Sequence, residues 1–176
     1  VIAGAPSRRS SSAGPVVEYV PGMVDVRWFT GPRSELRDLF ALAEDSEAQL
    51  AKHLDQGRVL VAVDGDAIVG HLQLGDRDAD DAVEILTVAV AEDRQRRGIG
   101  RMLVQRALDE AHAMGTRTVL VATATADVGN LRFYQRLGFR MLRVERDAFT
   151  TAQGYPDGIV IDGIPLRDRV WLSAPG

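Results

Sequence analysis

The nine residues 82–90, AVEILTVAV, constrain the fold of this chain more than any other stretch. They make a nearly continuous apolar run with one carboxylate, Glu84, inside it. A run of this length, rich in β-branched residues, reads as a central strand covered on both faces. Such a strand needs amphipathic helices above and below it, and the chain supplies them. From Gly98 the period changes, and Ile99, Leu103, Val104, Ala107, Leu108, Ala111 and Met114 recur at three- and four-residue steps up to Gly115. That spacing predicts a helix with an apolar stripe and a glycine stop.

The remaining elements follow from the same signals. VDVRWF (24–29) alternates as a half-buried strand does, and residues 31–57 read as one or two helices with a break near 44–46. Residues 58–75 are two strands joined by a tight turn at Asp64-Gly65. RTVLVATA (117–124) is a further buried strand, DVGNLRFYQRLG (127–138) a short helix, and FRMLRVERDAF (139–149) a strand. An irregular stretch, 150–165, precedes a last strand at 167–172. The order β-α-α-β-β-β-α-β-α-β-β predicts an α/β fold, a mixed sheet with helices on both faces. Residues 1–22 are rich in Ser, Pro, Gly and Ala and show no period, so a flexible arm is expected there, with a single domain over 23–176.

Composition removes several classes of function. With no cysteine in 176 residues, disulfides, thiolate metal sites and cysteine nucleophiles are excluded. The three histidines, His53, His71 and His112, show no metal-ligand spacing, so no metal is expected. No apolar run approaches the roughly 18 residues of a membrane span, and residues 1–22 lack the apolar core of a secretory signal. A cytoplasmic protein without a membrane partner is expected. The net charge of −4 argues against a general nucleic-acid binder.

Charge is nonetheless unevenly placed. In EDRQRRGIGRML (92–103) two glycines open the helix, and Arg94, Arg96, Arg97 and Arg101 crowd around them. Glycine costs a helix roughly 1 kcal/mol relative to alanine, and the arginines repel one another. Both costs make sense if the segment wraps an anion. The first amides of a helix lack partners and carry partial positive charge, and glycine lets a phosphate approach the backbone. Arginine adds charge-assisted donors. The Gly-Lys-Ser/Thr of a P-loop is absent, and Leu103 stands where a dinucleotide fingerprint needs a small residue.

What stands here is Gln95-Arg96-Arg97-Gly98-Ile99-Gly100, which resembles the Q/R-x-x-G-x-G/A pattern of the GNAT acyltransferase superfamily. NLRFYQRLGF (130–139), with Asn130, Tyr134, Gly138 and Phe139, resembles the family's next signature. Together these motifs cover about residues 82–140. The resemblance implies a GNAT-like, mostly antiparallel central sheet and an acyl-CoA-dependent N-acyltransferase that passes acetyl from acetyl-CoA directly to an amine. It implies that the amides of residues 96–101 hold the pyrophosphate, with Gln95, Arg96, Arg97, Gly98, Ile99, Gly100 and Arg101 forming the loop. The main chain of Val88 and Val90 would pair with pantetheine, and Asn130 would hydrogen-bond the same arm.

The resemblance also names candidate catalytic residues. In several family members an acid at the register of Glu84 is the general base, directly or through water. By strand alternation Glu84 shares a face with Leu86, Val88 and Val90, where a carboxylate is costly unless it has a use or a partner. Tyr134 matches the family tyrosine that protonates the departing thiolate. His71 is read as an exposed or hydrogen-bonded residue on its strand rather than part of the site. The acceptor is expected to be a small-molecule amine, cationic if Asp76, Asp78, Asp80 and Asp81 serve to attract it. A non-catalytic acyl-CoA sensor and a protein N-terminal or lysine acetyltransferase are the alternatives, and a homodimer is compatible with the family.

Overall fold

The computed structural model describes residues 24–43, 50, 54–77 and 81–176. Strands β1 (Val24–Trp28), β2 (Arg58–Asp64), β3 (Ala67–Arg77), β4 (Ala82–Val90), β5 (Thr118–Ala124), β6 (Arg140–Glu145) and β9 (Arg169–Pro175) form one seven-stranded sheet in the order β1-β2-β3-β4-β5-β9-β6. All neighbours are antiparallel except β4 and β5. That one parallel junction follows from the helix between them, since a crossover returns the chain in the same direction.

Helix α1 (Arg37–Ala41), entered through a 3-10 turn at Arg33–Leu36, covers one face. Leu36 and Phe40 pack there on Val59, Val61 and Val63. Helices α2 (Ile99–Ala113) and α3 (Val128–Arg136) cover the other. Of the stripe read from the sequence, Ile99, Leu103, Val104, Ala107 and Ala111 are buried there against Leu60, Leu72, Leu74, Val83, Ile85, Val119 and Val121, Leu108 is half-buried against them, and Met114, at the C-cap beyond the last helical turn, is exposed. Each such Leu, Ile or Val contributes about 1.5–3 kcal/mol of hydrophobic stabilisation, so α2 is held by its stripe rather than by helix propensity. These faces are called the α1 face and the α2 face below.

Two local features differ from expectation. Asp64 pairs with Ala67, so the β2–β3 turn centres on Gly65-Asp66, one residue later than read. The stretch expected to be irregular holds a small hairpin, β7 (Val160–Ile161) with β8 (Ile164–Pro165). Its turn residues Asp162 and Gly163 both take positive φ (48° and 83°), the geometry that Asp-Gly favours in a two-residue hairpin. The signal was present in the sequence, as Asp-Gly between Ile161 and Ile164. The arm at 1–22 and most of the second helix expected in 31–57 lie outside the described residues.

Candidate active site

Strands β4 and β5 are paired only at their beginnings. The register runs Ala82↔Thr118 to Ile85↔Val121 and stops there, although β4 continues to Val90 and β5 to Ala124. Residues 86–90 therefore keep β3 on one side and face a wedge-shaped split on the other. A main chain left without a strand partner in the middle of a sheet is a ready edge for an extended ligand.

The loop leaving β4 brings a helix N-terminus to that split. Gln95 Nε2 donates to the Val90 carbonyl (3.1 Å), which closes the loop on the strand end. Arg94 is held by Asp64 at the end of β2 and by Asp93. Gly98 is the N-cap at φ 85°, no side chain caps the helix, and its first turn holds no acid. Its first helical bond is Met102 N–H to the Gly98 carbonyl, so the amides of Ile99, Gly100 and Arg101 have no partner within the helix. Arg96 sits at φ 62°, a conformation costly for a long side chain and a common mark of functional loops. Among the described residues Arg96, Arg97 and Arg101 enter no ion pair. The uncapped amides and these three cations give this helix end the chemistry that suits an anion, with Gly98 open on its outer side.

The rest of the α2 face converges here. A Cβ added to Gly100 would lie 3.6 Å from Phe133 and 3.9 Å from Val90, so the ends of β4, α2 and α3 meet at this glycine. Tyr134 follows on α3, 1% exposed, with its ring edge-on to Phe133 (5.1 Å) and Phe139 (5.5 Å). Burial pushes its phenol above the usual range, and the charge of Asp127 adds to that. Asp127 caps α3 by accepting from the Asn130 backbone N–H (2.8 Å), and burial pushes its own carboxyl up. The Asn130 side-chain Nδ2 is buried without a partner. An orphaned donor at that place fits a ligand carbonyl that would complete it.

Glu84 lies elsewhere than the sequence placed it. The register passes from Leu74↔Ile85 to Gln73↔Thr87, so Leu86 is the extra residue of a β-bulge. A bulge puts two successive side chains on one side and reverses the alternation beyond it. Val88 stands opposite Leu72 and faces α2, whereas Glu84 stands opposite Gly75 and faces α1. Leu86 shares the α1 face, filling the space that a side chain at Gly75 would occupy. The expectation that Glu84, Val88 and Val90 share a face is corrected by this one inserted residue. Glu84 also has a partner, because Arg77 Nη1 approaches its Oε2 at 2.9 Å. Sequence reasoning passed over Arg77, though its place at the end of β3, opposite Ala82, could have marked it.

On the α1 face behind the bulge lies a buried polar row. His71, Gln73 and Thr87 are each 0% exposed. Thr87 donates to Gln73 Oε1 (3.4 Å), so its oxygen accepts from His71 Nε2–H (2.9 Å), and Gln73 Nε2 donates to the Gln56 carbonyl (2.6 Å). His71 stacks on Phe40 at 4.1 Å. Burial, with the charge of Arg33, lowers its pKa to about 3, so the ring is neutral and too weak a base to share in catalysis near neutrality. Of the acidic turn, Asp76 pairs with Arg58 (3.8 Å) and Asp81 with Arg117 (3.4 Å), while Asp78 and Asp80 lie outside the described residues.

Among the described residues no cluster of His, Asp and Glu is placed to hold a metal, and no helix is long and apolar enough to cross a membrane. Residues 22–139 match the acetyltransferase (GNAT) family. Over 139 residues the chain is 34% identical to the uncharacterized N-acetyltransferase YvbK of Bacillus subtilis, covering 78% of this chain and 87% of that one. It is 33% identical over 81 residues to the ribosomal protein bS18-alanine N-acetyltransferase of Salmonella typhimurium, covering 46% of this chain and 55% of that one. A Bacillus subtilis acetyltransferase solved in complex with CoA superposes with a TM-score of 0.79 at 30% identity, over 87% of this chain and 99% of that one. On the extent of these matches, the chain belongs to the GNAT family of N-acetyltransferases.

Proposed function

We propose that this N-acetyltransferase acts in the cytoplasm on a primary amine of a small molecule, with Glu84 as the base and Tyr134 as the acid. The observation that supports the reading is that Glu84 faces α1 at the base of the β4–β5 split while Tyr134 lies on the opposite, α2 face of the sheet. The amides of Ile99, Gly100 and Arg101, with Arg96, Arg97 and Arg101, would hold the pyrophosphate of acetyl-CoA on the α2 face. Gln95 contributes by holding the loop to Val90, since its side chain is spent on that latch. The main chain of Val88–Val90 and the Asn130 amide would bind the pantetheine arm, which brings the thioester into the split.

An acceptor approaching from the α1 face then meets Glu84 first. The carboxylate takes a proton from the ammonium, directly or through one water. Glu84 passes that proton to solvent while the freed nitrogen lone pair forms the C–N bond to the acetyl carbon; the nitrogen then gives up its second proton to the carboxylate as the C–S bond breaks toward the α2 face. An N–H of the unpaired β4 edge would stabilise the carbonyl oxygen. Tyr134, which burial keeps protonated, donates to the departing thiolate and recovers its proton from solvent. No covalent enzyme intermediate is needed, consistent with a chain that has no cysteine.

A peptide N-terminus is the second reading, supported by the similarity to the bS18-alanine enzyme. Incubation with acetyl-CoA and a library of small amines and peptides, followed by mass spectrometry for +42 Da products and by CoA release, tests both. Acetylation of small amines supports the proposal. Products confined to peptides move the function to the second reading, and acetyl-CoA binding with no product anywhere leaves a sensor.

A further inference from the structure

We propose that the α1 face beside the split carries a carboxylate subsite, built on Arg143, Arg77 and the ring of Trp171, and that the acceptor is an aminocarboxylate zwitterion. The proposal rests on the acetyl-transfer reading and adds the substrate class.

The position follows from the register. Trp171 pairs with Ala122, the first residue of β5 beyond its last partner on β4, and Arg143 pairs with Trp171. Both therefore stand level with the opening of the split, on the face that Glu84 shares. The Trp171 ring carries two guanidinium groups, Arg143 at 4.8 Å and Arg77 at 5.5 Å from its centroid. Its indole N–H is tied to Glu145 Oε2 (3.2 Å), and the residue is 8% exposed, so the ring is a fixed platform. The Arg143 guanidinium, resting on that ring, keeps its planar fork for a carboxylate and loses little further entropy on binding one, while Arg77 is already engaged by Glu84.

The charges are arranged in order. Glu84 lies on β4 at the base of the split and Arg77 at 2.9 Å from it. Trp171 comes next, and Arg143 lies beyond on β6. Glu145 is engaged by Arg169 (3.6 Å), whose guanidinium rests over Phe149 at 5.1 Å, with Tyr155 edge-on to Phe149 at the rim. With Glu84 and Glu145 each matched, Arg143 is the surplus cation, exposed and in no ion pair among the described residues. A line running from a carboxylate to an unmatched guanidinium complements an ammonium joined by a few bonds to a carboxylate. A purely cationic amine would meet Glu84 well and then face Arg77 and Arg143. The two described acids of the 76–81 turn, which would have favoured such a cation, are matched by Arg58 and Arg117.

The test compares three matched sets with acetyl-CoA: free amino acids, their carboxamides and their decarboxylated amines. The expected result is a kcat/KM at least tenfold higher for the best amino acid than for its two analogues. In Arg143→Gln that ratio is expected to fall about tenfold, with acetyl-CoA affinity by calorimetry and the melting temperature as in wild type. Arg143→Lys is expected to restore part of the ratio. Turnover of the amines or carboxamides as fast as the amino acids, or an Arg143→Gln ratio equal to wild type, overturns the subsite while leaving acetyl transfer standing. Absence of CoA release with every compound overturns both.

Discussion

His71 offers a test of the site's architecture that needs no substrate. Its pKa is about 3 in the folded protein against 6.5 unfolded, because the ring is buried and faces the charge of Arg33. The folded state therefore binds fewer protons than the unfolded state throughout that window. Stability from the neutral ring is full above pH 6.5 and is lost as pH falls, by about 1.4 kcal/mol per unit once well below 6.5. Between pH 7.5 and 5 the loss comes to about 2 kcal/mol, a substantial part of the 5–15 kcal/mol typical of a domain. It corresponds to a fall in Tm of about 4–8 °C.

The variant to compare is His71→Gln, whose amide can still donate to Thr87 but does not titrate. Its absolute stability is free to drop, since the ring stacked on Phe40 is gone. The informative quantity is the slope. Urea unfolding at pH 5, 6, 7 and 7.5 should show wild type losing about 2 kcal/mol more than His71→Gln over the range. The raised carboxyl of Asp127 acts in both proteins and cancels in the difference. Equal slopes, or a difference under about 0.5 kcal/mol, would refute the buried neutral His71 and with it the His71–Thr87–Gln73 row.

Three further outcomes follow from the site. Gly100→Glu should abolish acetyl-CoA binding by calorimetry with the fold intact, because its Cβ has ordinary room beside Phe133 while its carboxylate opposes the phosphates; unchanged affinity removes the loop from the binding site. Glu84→Gln should lower kcat about 10²-fold or more, with KM for acetyl-CoA held; wild-type turnover would reassign proton removal to water. Tyr134→Phe should cost less, about tenfold in kcat, because a phenol raised by burial gives its proton uphill to a thiolate whose ordinary pKa is about 8.5. A single-turnover rate of CoA formation unchanged in Tyr134→Phe would exclude the tyrosine from thiolate departure.

What was legible in the sequence, and what was not, divides along a physical line. The helix stripe and the run 82–90 were legible because burial imposes a period on composition: five of the seven stripe residues are buried, Leu108 is half-buried, and only Met114, past the last helical turn, is exposed. The uncapped, glycine-opened helix start at Gly98 was legible because glycine at that place breaks the helical pattern. Arg94 was not, since its commitment to Asp64 joins residues 30 positions apart and leaves no local pattern. Arg77 beside Glu84 and the capture of Gln95 by Val90 join closer residues, and Arg143 on Trp171 residues nearly as far apart, but these too are contacts of the folded chain that no run or period announces.

The bulge at Leu86 has the largest consequence among the hidden features. Burial along β4 still alternates without a break, Ile85, Thr87 and Ala89 being buried and Leu86, Val88 and Val90 half-buried. Only the pairing with β3 shows that the faces have exchanged. Before Leu86 the half-buried residues look toward α1, and after it they look toward α2. Apolarity cannot report this, because both faces of a central strand are covered and a leucine suits either. Yet the exchange lets one strand offer a carboxylate to one side of the sheet and an apolar wall, Val88 and Val90, to the other. A strand in strict alternation would put Glu84 among the groups lining the CoA side, where the phosphates and the acid would repel each other. One inserted residue therefore separates the proposed base from the proposed phosphate site across the thickness of the sheet. It also sets the direction of transfer that the proposed mechanism requires, with the amine entering from α1 and the thiolate leaving toward α2.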